Sequence, residues 1–310
     1  MSRWESFCVV GIGGHARTKL IPAIKANGQS IAGLVSRQPP EALPDAPIFG
    51  TLDAALAGVP SDTVFVIASP PSAHHAQVRA VIDAGFDVIV EKPAFVTAVE
   101  ARDVTARCAA TGTVLVEAFM QRHTGLYRRV LDFCAAHRVA AIDLAFVIPA
   151  MPSGTFRSES DLGASSLYDI GCYILALLGD LRLDLSALEI TAVRETGTMA
   201  EAVDLAGILD GIAVTATIGV GPEYRNRASV GLADDSKTSF HPIFYGRPGL
   251  KTIGEEQIED GNAFEAMFAV PRTQWLRDQD ERFAGIIAVT ARLEALAAQL
   301  EKFRADLGKR

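Results

Sequence analysis

The chain has 310 residues, 49% hydrophobic and 21% charged, with a formal net charge of −8. This is a globular composition of a length that suggests about two domains. The negative balance speaks against bulk electrostatic capture by nucleic acid or an anionic membrane and leaves room only for a local basic pocket.

Taken from the start, Met1–Phe7 carries Arg3, Trp4 and Glu5 and lacks the apolar core of a signal peptide. No transmembrane helix is expected, because no apolar run of sufficient length stands out. Cys8, Cys108, Cys134 and Cys172 share no metal-ligand spacing. They read as reduced, mostly buried thiols of a cytoplasmic protein, and no metal site is expected. Short Val- and Ile-rich runs at 7–10, 31–35, 63–68, 87–90 and 113–116 read as buried strands. Helix-like segments at 15–26, 52–57, 73–84 and 98–110 alternate with them, which predicts a doubly wound parallel sheet. After about residue 121 the pattern changes. A helix over 125–136 and a strand over 140–148 precede a Gly/Ser-rich connection and an apolar helix over 167–178. Strand-like runs follow at 190–194, 202–209, 213–220 and 228–232, with a hairpin turn at Asp210-Gly211. They predict a mostly antiparallel sheet. A long amphipathic helix over 279–307 ends the chain. The expected division is a dinucleotide-binding domain, 1–121, and a substrate-binding and oligomerisation domain, 122–310.

The first strand leads into Gly11-Ile12-Gly13-Gly14-His15-Ala16, a G-x-G-x-x-A loop before a helix. Gly11 permits the tight turn, Gly13 lets the backbone approach a pyrophosphate, and Ala16 lets the helix pack close to the strand. The anion then sits on the positive end of the helix. A glycine-rich turn of some other α/β protein would look similar. Position at the first strand favours the cofactor reading. The second strand ends in Ser36-Arg37 with no acidic residue. An Asp or Glu there would hold a ribose 2′-hydroxyl, whereas Arg37 can accommodate a 2′-phosphate. NADP(H) is therefore favoured, with NAD(H) as the alternative if Arg37 only stacks on adenine.

Three more segments complete a pattern: Ser69-Pro70-Pro71-Ser72-Ala73-His74, Val90-Glu91-Lys92-Pro93 and Leu167-Tyr168-Asp169-Ile170-Gly171-Cys172-Tyr173. With the glycine loop they resemble the Gfo/Idh/MocA (glucose-fructose oxidoreductase-like) family, in order and spacing, over about residues 7–180. Val116–Met120 and Gly154–Arg157 look most like its aldose dehydrogenases and sugar-nucleotide ketoreductases. The resemblance implies a Rossmann domain, then an α/β domain with an open, mostly antiparallel sheet that often mediates homo-oligomers. It implies Lys92 and Tyr173 as catalytic residues, with Asp169 supporting the substrate. Pro93 would shape the turn that carries Lys92. Gly11, Ile12, Gly13, Gly14, His15, Ser36, Arg37, Ser69, Pro70, His74, Glu91 and Lys92 would line the cofactor, and Gln121, Arg122, His123 and Arg157 the substrate. The sequence departs from the family where three glycines often precede the Asp helix; here stand Gly163-Ala164-Ser165-Ser166. It departs again after Met120, where Gln121-Arg122-His123-Thr124 replaces a run ending in His-His-Pro.

The chemistry follows from moving a hydride to or from a carbinol carbon while a proton moves at its oxygen. A phenol with a pKa of about 10 is a weak acid-base group at neutrality. An ammonium at about 4 Å contributes about 4 kcal/mol at an effective dielectric near 20. Lys92 could thus make Tyr173 competent and polarise the substrate oxygen. Asp169, four residues before Tyr173, shares its helical face. Each residue also has a plainer role open to it: Tyr173 as a core aromatic, Asp169 as a helix N-cap, His74 as a feature of its helix start. The reading is an NADP(H)-dependent oxidoreductase for a sugar, sugar nucleotide or related polyol. The alternatives are a non-catalytic dinucleotide-binding regulator, or an imine reductase or redox-assisted elimination enzyme on the same fold.

Overall fold

The computed structural model describes residues 4–37, 46–149, 166–195, 201–221 and 223–307. Backbone proximity divides the chain into two compact units, 1–120 with 263–287, and 121–262 with 288–310. The first cut falls beside the expected boundary. The return of 263–287 to the first unit differs from a single division after residue 121.

Unit 1 is built on a six-stranded parallel sheet in the order β3-β2-β1-β4-β5-β6. The strands are β1 (Ser6–Val10), β2 (Ser30–Val35), β3 (Ile48–Phe49), β4 (Val64–Ile67), β5 (Val88–Val90) and β6 (Leu115–Glu117). The side chains of β1, β4, β5 and β6 are almost all buried, as covering helices on both faces of a parallel sheet require, whereas edge strand β3 is not. A π turn, Ala16–Leu20, leads into α1 (Ile21–Ala26), and α2 (Leu52–Gly58), α3 (Pro71–Asp83) and α4 (Ala98–Thr111) occupy the other crossovers. Thr97 and Glu100 form a reciprocal capping box that fixes the start of α4. The core gathers Cys8, Val10, Phe65, Ile67, Val88 and Val90 with Phe283 and Ile286. Burying each such large side chain contributes about 1.5–3 kcal/mol.

Polar and aromatic contacts explain why 263–287 belongs here. It comprises α7 (Ala263–Phe268), α8 (Arg272–Arg277) and the beginning of α9 (Gln279–Leu307). Phe268 meets Phe7 edge to face at 5.3 Å, and Trp275 stacks on Trp4 at 6.5 Å. Arg272 forks onto Asp87 at 2.6 and 3.1 Å, and Asp87 also accepts from Trp4 Nε1 and the Val114 N–H.

Unit 2 holds an eight-stranded sheet in the order β14-β13-β12-β11-β7-β10-β9-β8. Its strands are β7 (Val139–Ile148), β8 (Glu189–Glu195), β9 (Glu201–Leu209), β10 (Ile212–Val220), β11 (Arg225–Leu232), β12 (Lys237–His241), β13 (Gly249–Ile253) and β14 (Glu256–Asp260). Only β7 and β10 run parallel; the other pairs are antiparallel. Asp210 and Gly211, with φ of 49° and 83°, close the β9–β10 hairpin as its sequence predicts. One face packs on α5 (Gly125–Ala136), where Phe133 meets Phe240, and on the π turn Leu167–Gly171 that opens α6 (Cys172–Asp180), where Gly171 approaches Ile218. Asp260 accepts the Gly125 and Leu126 N–H groups and anchors the start of α5. The opposite face is polar: Arg194 pairs with Asp204, Thr217 donates to Asp204, and Arg227 and Thr215 meet Asp143.

All four cysteines are free, and burial pushes Cys8 up to about 12 and Cys108 and Cys134 to about 11. Among the described residues no cluster of three or more His, Cys, Asp or Glu side chains is placed to hold a metal. One helix, over 279–306, is long and apolar enough by length and composition to cross a membrane, against the expectation of none. Phe283, Ile286, Val289, Leu293, Leu296 and Leu300 on it are buried within the protein.

Candidate functional site

In unit 1, five parallel strands end at one edge in register. Gly11 N–H donates to Val35 O, Ala68 N–H to Val10 O, Glu91 N–H to Ile67 O and Ala118 N–H to Val90 O. The loops that follow therefore stand side by side: Ser36-Arg37, then Gly11–His15, then Ser69-Pro70, then Glu91-Lys92-Pro93, then Ala118–Met120. The strand order reverses between β1 and β4, which is where a doubly wound sheet opens a crevice for a dinucleotide.

The glycines of the first loop differ in kind. Gly11 has φ +87°, and a Cβ there would lie 2.8–2.9 Å from backbone atoms of Ala68 and Ser69. Its lack of a side chain serves the protein's own packing. At Gly13 and Gly14 an added Cβ would meet nothing within 4 Å. That space is open to a ligand's phosphates, as the cofactor reading requires. Ala16 is buried, which fits close packing of its helix on the sheet. Arg37 is exposed at the end of β2, and the Ser36 N–H is taken by Phe49 O.

His15 Nε2 lies 2.9 Å from Glu91 Oε1, so the glycine loop is tied to the turn carrying Lys92. Burial raises the Glu91 pKa, but the His15 contact and the neighbouring Lys92 outweigh it and hold the carboxyl below its usual range. The Lys92–Pro93 peptide is cis. His74 departs from its expected place beside the cofactor. It is fully buried, with Nδ1 3.0 Å from Pro93 O and 3.2 Å from Ala94 O, and Nε2 2.8 Å from Ser69 O. Both ring nitrogens face backbone carbonyls.

In unit 2, Asp169 lies inside the π turn before α6 rather than at its N-cap, which corrects the capping alternative. Tyr173 is 8% exposed, with its ring 5.3 Å from Phe146 and 6.1 Å from Phe244. Arg122 forks onto Asp180 at 2.8 and 2.9 Å, and Asp180 also accepts the Tyr127 hydroxyl at 2.7 Å. The guanidinium expected on the substrate is thus engaged with the end of α6. Gln121 is fully buried, and neither amide atom has a hydrogen-bond partner among the described residues. Burial and the charges of Arg122 and Arg128 push His123 down to about 4, so its ring is neutral at pH 7. Arg157 and the stretch 163–165 lie outside the described residues.

Sequence reasoning missed the buried carboxylate of Glu117, whose Oε1 accepts the Ala94 N–H at 2.8 Å. A charged residue inside the apolar run Leu115–Phe119 was the available signal. It also missed Asp180 and the His15–Glu91 pair, which depend on contacts far apart in the chain.

Residues 6–119 match the family model of an oxidoreductase family with an NAD-binding Rossmann fold. The model is that of the Gfo/Idh/MocA family, and the match covers the parallel-sheet part of the chain. Curated relatives are similar over part of the chain. D-xylose 1-dehydrogenase (NADP(+)) 2 of Haloferax volcanii is 31% identical over 181 residues, 55% of this chain and 55% of that one. A dTDP-3,4-didehydro-2,6-dideoxy-alpha-D-glucose 3-reductase of Streptomyces antibioticus is 31% identical over 199 residues, 61% and 60% of the two chains. The match thus spans little more than half the length of these relatives. The fold agrees over nearly the whole chain with a 3-ketoreductase from Actinomadura kijaniata solved with TDP-benzene and NADP, with a TM-score of 0.77, 19% identity and 94% and 97% of the chains covered. It agrees likewise with an aldose-aldose oxidoreductase from Caulobacter crescentus complexed with glycerol, with a TM-score of 0.72, 18% identity and 99% of each chain covered. At these identities the likeness is one of fold. A parallel Rossmann-type sheet followed by a mixed, mostly antiparallel sheet is the architecture expected from the motifs.

Proposed function

We propose that this protein is an NADP(H)-dependent oxidoreductase that acts on a carbinol or carbonyl carbon of a sugar, sugar nucleotide or related polyol. One observation carries the proposal: open space over Gly13 and Gly14, with Arg37 exposed at the end of β2 and Lys92 on a neighbouring loop of the same strand edge. The activities of the similar proteins, an NADP(+) xylose dehydrogenase and a sugar-nucleotide reductase, support the same class.

The residues present fit a dinucleotide. The backbone of Gly11–His15 would hold the pyrophosphate, Ser36 and Arg37 the ribose phosphate, and Ser69 and Pro70 the middle of the molecule. When bound, the nicotinamide supplies or accepts the hydride. Lys92 polarises the substrate oxygen, Tyr173 gives or takes the proton at its phenol oxygen, and Asp169 accepts a substrate hydroxyl. The neutral ring of His123 is a poor proton donor at pH 7, which favours Tyr173 in that role. A cytoplasmic location and homo-oligomers formed through the polar face of the eight-stranded sheet, with no nucleic-acid or membrane partner, belong to this reading.

The test is a panel of aldoses, ketoses, sugar nucleotides and cyclic imines, followed at the nicotinamide absorbance with the native protein and Lys92→Ala. The proposal expects turnover on a sugar-type substrate that the variant abolishes, with cofactor affinity kept within about threefold. Turnover of imines alone would move the protein to a different reaction. NADPH binding with no turnover of any class would favour a regulator, and full activity of the variant would remove Lys92 from the chemistry.

A further inference from the structure

The turn that carries Lys92 leaves β5 and runs as an irregular bend through Pro93 and Ala94. Two buried polar side chains hold its backbone from behind. His74, on α3, spans from the Pro93 and Ala94 carbonyls on one side to the Ser69 carbonyl on the other. Glu117, 5% exposed at the end of β6, takes the Ala94 N–H. A fully buried histidine and a buried carboxylate in an apolar domain are costly unless polar partners meet them. The groups that face the His74 ring nitrogens are backbone carbonyls of two loops at the strand edge. A neutral imidazole carries one N–H, so it donates either to the Lys92 turn through Nδ1 or to the Ser69 carbonyl through Nε2, and the brace on the turn is the Nδ1–H form.

We propose that His74 and Glu117 are positioning residues for Lys92, together fixing the backbone from which its side chain projects. The inference rests on the catalytic reading of Lys92. A lysine stem has four rotatable carbons, so the ammonium is placed only as well as its Cα is. A displacement of about 1 Å at such a group can lower turnover by about 10²-fold. Neither residue has to touch substrate or cofactor for this effect.

The experiment compares Glu117→Leu and His74→Leu, which remove the brace, with Glu117→Gln and His74→Asn. In the second pair the Gln oxygen still accepts from Ala94, and the Asn nitrogen stands near the Nδ1 position. The expected result is a fall in kcat of about 10- to 100-fold for the Leu variants. The substrate KM and NADPH affinity should stay within about threefold, the pH profile of kcat should shift, and the conservative variants should rescue both. Purely structural damage would not move the pH profile. If the Leu variants do not fold, His74→Gln keeps a donor toward Ser69 while withdrawing from the turn, and it should show the same kcat and pH effect. A folded Glu117→Leu or His74→Gln with native kcat and pH profile overturns the proposal. Hydrogen exchange over residues 91–97 reads the brace without turnover. The Ala94 amide should be protected in the native protein and in Lys92→Ala, and lose protection in a Glu117→Leu variant or on cutting the bond otherwise. Fast exchange in the native protein overturns the brace, whereas an active Lys92→Ala overturns only the catalytic reading of Lys92.

Discussion

Two alanines in one loop should have opposite effects. At Gly13 an added Cβ meets no protein atom within 4 Å, and no positive φ forbids it. Gly13→Ala should leave stability within about 0.5 kcal/mol of the native protein, or raise it by about 0.4–1 kcal/mol through the lost freedom of the unfolded chain. The new methyl would occupy space meant for phosphate oxygens. Losing one charge-assisted hydrogen bond there costs about 1.5–3 kcal/mol, or about 10- to 150-fold in NADPH affinity. Gly11→Ala has the reverse signature. Its φ of +87° disfavours any Cβ, by about 1–2 kcal/mol. The methyl would also press on the Ala68–Ser69 backbone at 2.8–2.9 Å, adding about 1–3 kcal/mol of overpacking. A destabilisation of about 2–5 kcal/mol follows from these two costs. Thermal unfolding of the cofactor-free proteins and fluorescence titration with NADPH measure both quantities. Native NADPH affinity in a well-folded Gly13→Ala protein would refute the cradle, and a native melting temperature in Gly11→Ala would refute the packing argument.

Other outcomes follow from the same contacts. Arg37→Ala should weaken NADP(H) by about 10- to 150-fold and leave NAD(H) nearly unchanged, because its fork would meet only the 2′-phosphate; equal loss for both cofactors in calorimetric titration would show that Arg37 reads adenine or nothing. Asp180→Ala removes the acceptor of the Arg122 fork and of the Tyr127 hydroxyl and should cost about 2–4 kcal/mol in urea unfolding; a loss below about 0.5 kcal/mol would mean that solvent replaces these bonds. His123, with its pKa lowered to about 4, stays neutral in the folded state while the unfolded chain takes up a proton below about pH 6.5. The unfolded state therefore binds more protons between about pH 4 and 6.5, and stability falls as pH drops through that window. His123→Asn should remove this slope, worth at most about 2 kcal/mol at pH 5 and nothing at pH 8; an equal effect at both pH values would contradict a buried neutral ring.

Much of unit 1 was legible because its strands are short, apolar and β-branched, a pattern local to each segment. The same holds for α5 and for the β9–β10 hairpin, where Asp210-Gly211 states its own turn. The strands over 237–260 were not seen, since polar residues such as Lys237, Thr238, Glu256 and Gln257 interrupt any apolar alternation. The return of 263–287 to unit 1 rests on pairs such as Arg272–Asp87 and Phe268–Phe7, which no local pattern encodes. At the site, glycine spacing and the Glu-Lys-Pro motif named the loops that the strand edge aligns. They could not say that His74 lies behind those loops, because its partners at Pro93 and Ala94 are about twenty residues away and are backbone atoms.

The central claim is hydride transfer from a nicotinamide to a sugar-type carbon with Tyr173 as proton donor. Its most direct measurement is a single-turnover reaction with NADPH deuterated at the transferring position, offered a keto-sugar or sugar-nucleotide substrate, with mass analysis of the product. The account predicts one deuterium on the product carbinol carbon, formed at least about 10²-fold more slowly by a folded Tyr173→Phe protein. No deuterium in any product, or an unchanged rate in Tyr173→Phe, would contradict it.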